Sequence, residues 1–196
     1  MTKKDIIDQL VGTSLLLRQR RPLSIEYIQK SYDSLFNVET QSFLQTERFA
    51  MASFVAMLHD HKSAIQHYTA LLTHIAPDLL EPISSAGHRA KTHGPYGNYP
   101  DGPLKVENVD GLHWSLEKDL HDILGAKLSS GLEHAHRLIF HPRDSKKEHL
   151  VHLSDTNWDD NSIVTLSQLI AFLSFQLRLA TGLSVLKESQ NANLSS

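Results

Sequence analysis

Cysteine is absent from this 196-residue sequence. That excludes disulfides, thiolate metal ligands, iron–sulfur clusters and any cysteine nucleophile or redox pair. A dominant charge is missing too: 19 Lys and Arg face 22 Asp and Glu, for a formal charge of −3. Such a balance does not draw a polyanion, so no nucleic-acid partner is expected. No uninterrupted apolar run approaches the roughly 18 residues that span a bilayer, so no membrane partner is expected either. The opening "MTKKDIIDQL" meets Asp5 and Asp8 directly after its lysines, without the apolar stretch and small-residue cleavage site of a signal peptide. A cytoplasmic location is the expectation. Glycine and proline are scarce, at nine and seven, and unevenly placed. Five glycines fall between Gly87 and Gly111, and three prolines between Pro95 and Pro103.

What is present is helical periodicity, without an alternating strand pattern of useful length. Ile6, Ile7, Leu10, Val11 and the Leu15–Leu17 cluster recur at three- and four-residue steps, predicting a helix from Lys4 to Leu17 that Arg18, Arg20 and Arg21 end. Ser24 is placed to cap a second helix with Ile25, Ile28, Tyr32, Leu35 and Phe36 inside. A third runs from Thr46 to Leu58 and a fourth from Asp60 to Ile75, before Pro77 and Pro82 interrupt the chain. Ser115 starts a helix to Phe140, weakened by Gly125 and Gly131. "SKKE", Ser145 to Glu148, reads as a capping box for a short helix through Leu153. The final and most apolar helix spans Asp160 to Leu186 and carries Gln168, Gln176 and Arg178, as a core helix would. The fold class is all-α, in one domain: N-terminal helices over 1–45, a core hairpin over 46–76, a Gly/Pro-rich linker over 77–114, C-terminal helices over 115–187 and a flexible tail over 188–196.

The linker contains "HGPYGNYPDGP", His93 to Pro103. A phosphate-binding loop requires a lysine and a preceding strand, and this stretch has neither. Its prolines stiffen the backbone, its glycines allow tight turns, and Tyr96 and Tyr99 supply amphipathic surface. It reads as a rigid aromatic lid or subunit contact, with a ligand-gripping segment as the other reading. Thirteen histidines invite a metal site. Yet His59 with His61, and His134 with His136, are two residues apart, and on a helix such residues diverge by about 200°. His149 and His152 share a helical step without a joining E-x-x-H pattern. The expectation is solvated or hydrogen-bonded histidines, no metal and no cofactor. His67 follows Asp60 and Ser63 at helical spacing, so the three can share adjoining helix surface. A histidine near a carboxylate can act as a general acid or base near neutral pH. Arg178 is the only charged residue between Ile163 and Leu186, and a guanidinium buried in so apolar a helix needs partners; Glu47 is the leading candidate, with a head snorkelled to solvent or a bridge to a neighbouring subunit as the other readings.

Two stretches carry a family resemblance. "TERFAMASFVAMLHDHKSAIQHYTALL", Thr46 to Leu72, resembles the central helical hairpin of the alkylhydroperoxidase-D-like, or carboxymuconolactone-decarboxylase-like, superfamily. "DDNSIVTLSQLIAFLSFQLRLATGL", Asp159 to Leu183, resembles the later helix of its peroxidase-related members, and "GPYGNYPDGPL" and "EHAHRLIFHPRD" resemble one subfamily's linker and following helix. Peroxidatic members carry C-x-x-C-x-x-x-H about a dozen residues after a glutamate. Glu47 looks like that glutamate, one residue further off than the pattern has it; Asp60 and Ser63 fall at the two cysteine positions, and His67 matches the histidine. Thiol peroxidase chemistry needs both sulfurs, and neither Asp nor Ser can be oxidised and recycled in their place. The resemblance therefore implies an alkylhydroperoxidase-D-like helical bundle, a homo-oligomer, with candidate site residues His67, Glu47, Asp60 and Ser63. Two functional readings follow from it: proton transfer on a small organic molecule, as in decarboxylase-type members, or a catalytically silent binding or structural protein.

Overall fold

The computed structural model describes residues 5–14, 16–38 and 40–194. Among these the protein is all-α: α1 (Ile6–Val11), α2 (Leu16–Gln19), α3 (Pro22–Phe36), α4 (Gln45–Leu58), α5 (Lys62–Ile75), α6 (Leu80–Arg89), α7 (Lys118–Phe140), α8 (Lys147–Asp155) and α9 (Asp160–Leu194). Three 3-10 turns, at Pro77–Leu79, Pro103–Glu107 and Pro142–Asp144, join them. No strand occurs among the described residues; a single isolated bridge pairs Gly97 with Val109.

α4 is the hub. It packs against α3, α5, α6, α7 and α9, and it is apolar on nearly every side, with Phe49, Ala50, Met51, Ala52, Phe54, Val55 and Ala56 all buried. A helix with no polar face is one that neighbours must surround. Its alanines let those neighbours approach closely, and glycines do the same on the other side: a Cβ on Gly131 would stand 2.9 Å from Met51 Cε and from the Trp158 ring. Trp158 fills that corner fully buried, its Nε1–H donating to the Lys127 carbonyl at 2.8 Å. The buried face of α9 (Leu166, Leu169, Ile170, Leu173 and Leu177) closes the core. By length and composition α9 also meets the description of a membrane-crossing helix, with mean hydropathy 1.7.

Several boundaries differ from the sequence expectations for physical reasons. The expected first helix is two: Gly12, at φ 79°, caps α1 in the left-handed conformation and turns the chain. Lys4 and Leu15 lie outside the described residues. Arg18 is not a solvated helix end; it is buried and ion-pairs with Asp5 at 2.9 Å and with Asp8. α3 begins at Pro22, where a first-turn proline loses nothing, rather than after Ser24. Glu47 caps α4 by accepting the Leu44 N–H at 2.8 Å. The expected break at Pro77 and Pro82 instead holds α6, which buries Pro82, Ile83 and Ala86. The expected Ser145 box is displaced by one residue: the Lys146 N–H donates to His149 Nδ1 at 3.1 Å and α8 starts at Lys147. α9 continues through the expected tail to Leu194, and Ser195 and Ser196 lie outside the described residues.

Candidate functional site

The four residues expected to form a site have separate surroundings. His67 is half-buried on α5, with Nε2 3.1 Å from the Tyr32 hydroxyl on α3 and its ring edge-on to Tyr68. Burial pushes the His67 pKa down, and burial with the Asp33 charge pushes Tyr32 up to about 12. Glu47 turns away to Lys127 on α7, at 2.9 Å. Asp60 is exposed at a left-handed φ of 54° and pairs with Lys91 at 2.8 Å, and this hydrogen bond holds its carboxyl below the ordinary range. Ser63 is exposed in the first turn of α5. Helical spacing does put Asp60, Ser63 and His67 along one chain segment, but each side chain answers to a different neighbour. Arg178 does not meet Glu47. It is exposed beside His59, Pro95 and Ile139, because α9 presents that position outward. The expected buried pair is thus replaced by Glu47–Lys127.

A different group converges. α7, the Pro142–Asp144 turn and the linker enclose a cavity of about 320 Å³ lined by His113, Trp114, Glu133, His136, Arg137, His141, Asp144 and others. The linker is stitched to the end of α7 by backbone bonds. Tyr96 N–H donates to the Phe140 carbonyl at 2.6 Å, and Gly97 and Val109 exchange bonds of 2.8 and 3.4 Å. His141 Nε2–H donates to the Leu112 carbonyl at 2.9 Å. Of the "HGPYGNYPDGP" stretch, Asn98 lines the cavity, and Tyr96 packs against the His141 ring.

Of the two expected states for the histidines, solvated or hydrogen-bonded, His134, His136 and His141 take the second: they are buried and hydrogen-bonded, covered by α9 on one side and by the linker on the other. The argument that residues two apart diverge does hold: His134 bonds Ser167 on α9 at 3.0 Å, whereas His136 Nε2–H donates to the Ala90 carbonyl at 3.2 Å. Burial pushes the His136 pKa down to about 4, with the Arg137, His141 and His113 charges acting in the same direction, so its ring is neutral at pH 7. Burial, together with the Arg137 charge, puts His134 at about 4 as well.

His141 Nδ1 stands 2.8 Å from Asp144 Oδ2, and the Asn98 N–H donates to Oδ1 of the same carboxylate at 3.3 Å. Burial opposes ionisation of Asp144, yet these contacts and the neighbouring His141 and His113 charges hold its carboxyl below the ordinary range. The His113 ring stacks on His141 with centroids 4.2 Å apart. Two donors on the wall lack acceptors: Trp114 Nε1 is buried without a hydrogen-bond partner, and Arg137 makes no side-chain hydrogen bond among the described residues. Burial pulls the Arg137 pKa down while Glu133 pushes it back up, so its charge persists in the cavity.

The sequence held one signal for this site, "HPRD" at His141 to Asp144. In a 3-10 turn residues three apart eclipse, which places His141 and Asp144 on the same side. His113 and Trp114 arrive only through the tertiary course of the linker. Comparisons with protein-family models, curated proteins and solved structures give no match to this chain.

Proposed function

We propose that this protein binds a small organic anion in the cavity between α7 and the linker and carries out proton transfer on it. The reading agrees with the resemblance to the carboxymuconolactone-decarboxylase-like superfamily, but moves the working residues from the α4–α5 hairpin to the cavity. One observation carries it: Arg137 and Trp114 both line the cavity, the half-buried Arg137 guanidinium without a side-chain hydrogen bond among the described residues and the Trp114 Nε1–H buried without an acceptor. An unpaired buried donor costs about 1–3 kcal/mol, and a ligand oxygen recovers that cost. A planar guanidinium suits a carboxylate group, and an indole N–H on the same wall offers it a further donor. Glu133, close to Arg137, favours a singly charged ligand over a doubly charged one.

The roles follow from the chemistry of each group. Arg137 neutralises the anion and lowers the pKa of an acidic proton near it. His136, which lines the cavity, is fixed by the bond from its Nε2–H to the Ala90 carbonyl, which leaves Nδ1 as the acceptor nitrogen of the neutral ring. Trp114 orients the bound oxygen. Calorimetric titration of chelator-treated protein with benzoate tests the binding step. Saturable one-to-one binding is expected, with Arg137→Met weakening it about 10-fold and neutral benzamide giving no heat, since a charge-assisted hydrogen bond is worth roughly 1.5–3 kcal/mol. Equal binding of benzoate by the Met variant would refute the assignment.

A further inference from the structure

We infer that His113, His141 and Asp144 hold a divalent first-row transition-metal ion in an open arrangement of two histidines and one carboxylate. One ligand atom from each residue lies within 4.8 Å of the other two. Proximity alone would not carry the inference; the bonding of His141 does. Its Nε2–H is committed to the Leu112 carbonyl, so Nδ1 is the nitrogen that meets Asp144, with the carboxylate oxygen Oδ2 at 2.8 Å. Two electron-rich atoms at this separation repel unless a positive centre joins them, either a proton or a metal ion.

The geometry fits the ion. Metal–nitrogen and metal–oxygen bonds are about 2.0–2.2 Å, so ligand atoms at a right angle stand about 3.0 Å apart and at a tetrahedral angle about 3.4 Å. The observed 2.8 Å matches neighbouring corners of an octahedral site. Backbone groups already supply the outer support that metal ligands need. The Leu112 carbonyl fixes the His141 ring, and the Asn98 N–H holds the second oxygen of Asp144. His113 is exposed and makes no hydrogen bond among the described residues, so its ring, with a nitrogen within 4.8 Å of the other two ligand atoms, is free to turn toward the third corner. Imidazole and carboxylate donors select zinc, cobalt, nickel or ferrous iron over calcium or magnesium. The remaining corners face the cavity, where the Glu133 carboxylate adds negative charge. The inference shares that cavity with the proposed function but does not depend on anion binding.

Cobalt(II) chloride titrated into chelator-stripped, full-length protein is the test, followed by visible absorption and by thermal melting. Expected are a d–d band that saturates at one equivalent and a rise in Tm of several degrees, because an ion that binds only the folded state stabilises it. His113→Ala, at an exposed position, and Asp144→Asn should each weaken cobalt binding at least 10-fold, while metal-free His113→Ala melts like the wild type. His88→Ala, on an exposed histidine elsewhere, should leave the titration unchanged. Absence of saturable binding at millimolar cobalt, or equal binding by both site variants, would overturn the inference and assign a shared proton to the His141–Asp144 pair. Benzoate calorimetry on metal-free protein separates the two readings: benzoate binding with no saturable cobalt titration sustains the anion site and sinks the metal, and saturable cobalt binding without benzoate heat does the reverse.

Discussion

Gly97 lies directly against the carboxylate of Asp144: a Cβ at this position would stand 2.7 Å from Oδ1 and 2.8 Å from Oδ2. Its φ of 110° is one that only glycine adopts without strain. The linker can approach the His141–Asp144 pair because this residue has no side chain. Gly97→Ala should therefore cost about 1–3 kcal/mol of stability through backbone strain, and should push Asp144 away from His141. Urea denaturation gives the first quantity and the His141 ring resonances the second. Wild-type stability with unshifted resonances would contradict this picture.

Stability should depend on pH through the buried histidines. Burial, aided by nearby positive groups, puts His59, His134 and His136 at about 4. In the unfolded chain each returns to roughly 6.5. Between these values the unfolded state binds more protons than the folded state. The stabilisation is fully present above about pH 6.5 and is lost as pH falls toward 4, each group contributing a slope of up to about 1.4 kcal/mol per pH unit. Urea midpoints measured from pH 4 to 8 should fall on the acid side, and a flat profile between pH 5 and 7.5 would contradict the burial of these rings.

Glu47 and Lys127 should be energetically coupled, whereas Glu47 and Arg178 should not. The first pair is 2.9 Å apart with side chains only 14% and 24% exposed. Such partial burial supports a coupling of about 1 kcal/mol, near the upper end for accessible ion pairs. Double-mutant cycles with Glu47→Gln, Lys127→Met and Arg178→Met measure both. A coupling of Glu47 to Arg178 as large as that to Lys127 would contradict the packing of α4 on α7.

The all-α class was legible because the 3.6-residue apolar period survives in every long helix, most plainly where Leu166, Leu169, Ile170, Leu173 and Leu177 line the buried face of α9. α6 was hidden because Pro77 and Pro82 read as breaks, although a proline in the first helical turn has no intrahelical N–H bond to lose. The split at Gly12 was hidden because Ile6 to Leu17 keeps its period across the turn. The site was half legible. His141 and Asp144 are three residues apart around a proline, a local arrangement that a 3-10 turn brings together. His113, Trp114 and the Ala90 carbonyl come from segments distant in sequence, held there by the His141–Leu112 and His136–Ala90 bonds, which no spacing rule encodes. The His67 expectation rested on a resemblance to a cysteine-containing pattern, and in the structure His67 contacts Tyr32 and Tyr68.

The central claim is that the cavity beside α7, rather than the α4–α5 hairpin, is where this protein engages a ligand. The chain has two tryptophans, and their indole N–H resonances report on different places: Trp158 donates to the Lys127 carbonyl, while the Trp114 Nε1–H has no acceptor and its side chain lines the cavity. Titrating benzoate into 15N-labelled protein and following the two indole cross-peaks is the most direct measurement. The prediction is a saturable downfield shift of the Trp114 peak, an unmoved Trp158 peak, and loss of the response in Arg137→Met but not in His67→Ala. A stationary Trp114 peak, with saturable shifts confined to residues around His67 and Tyr32, would contradict it.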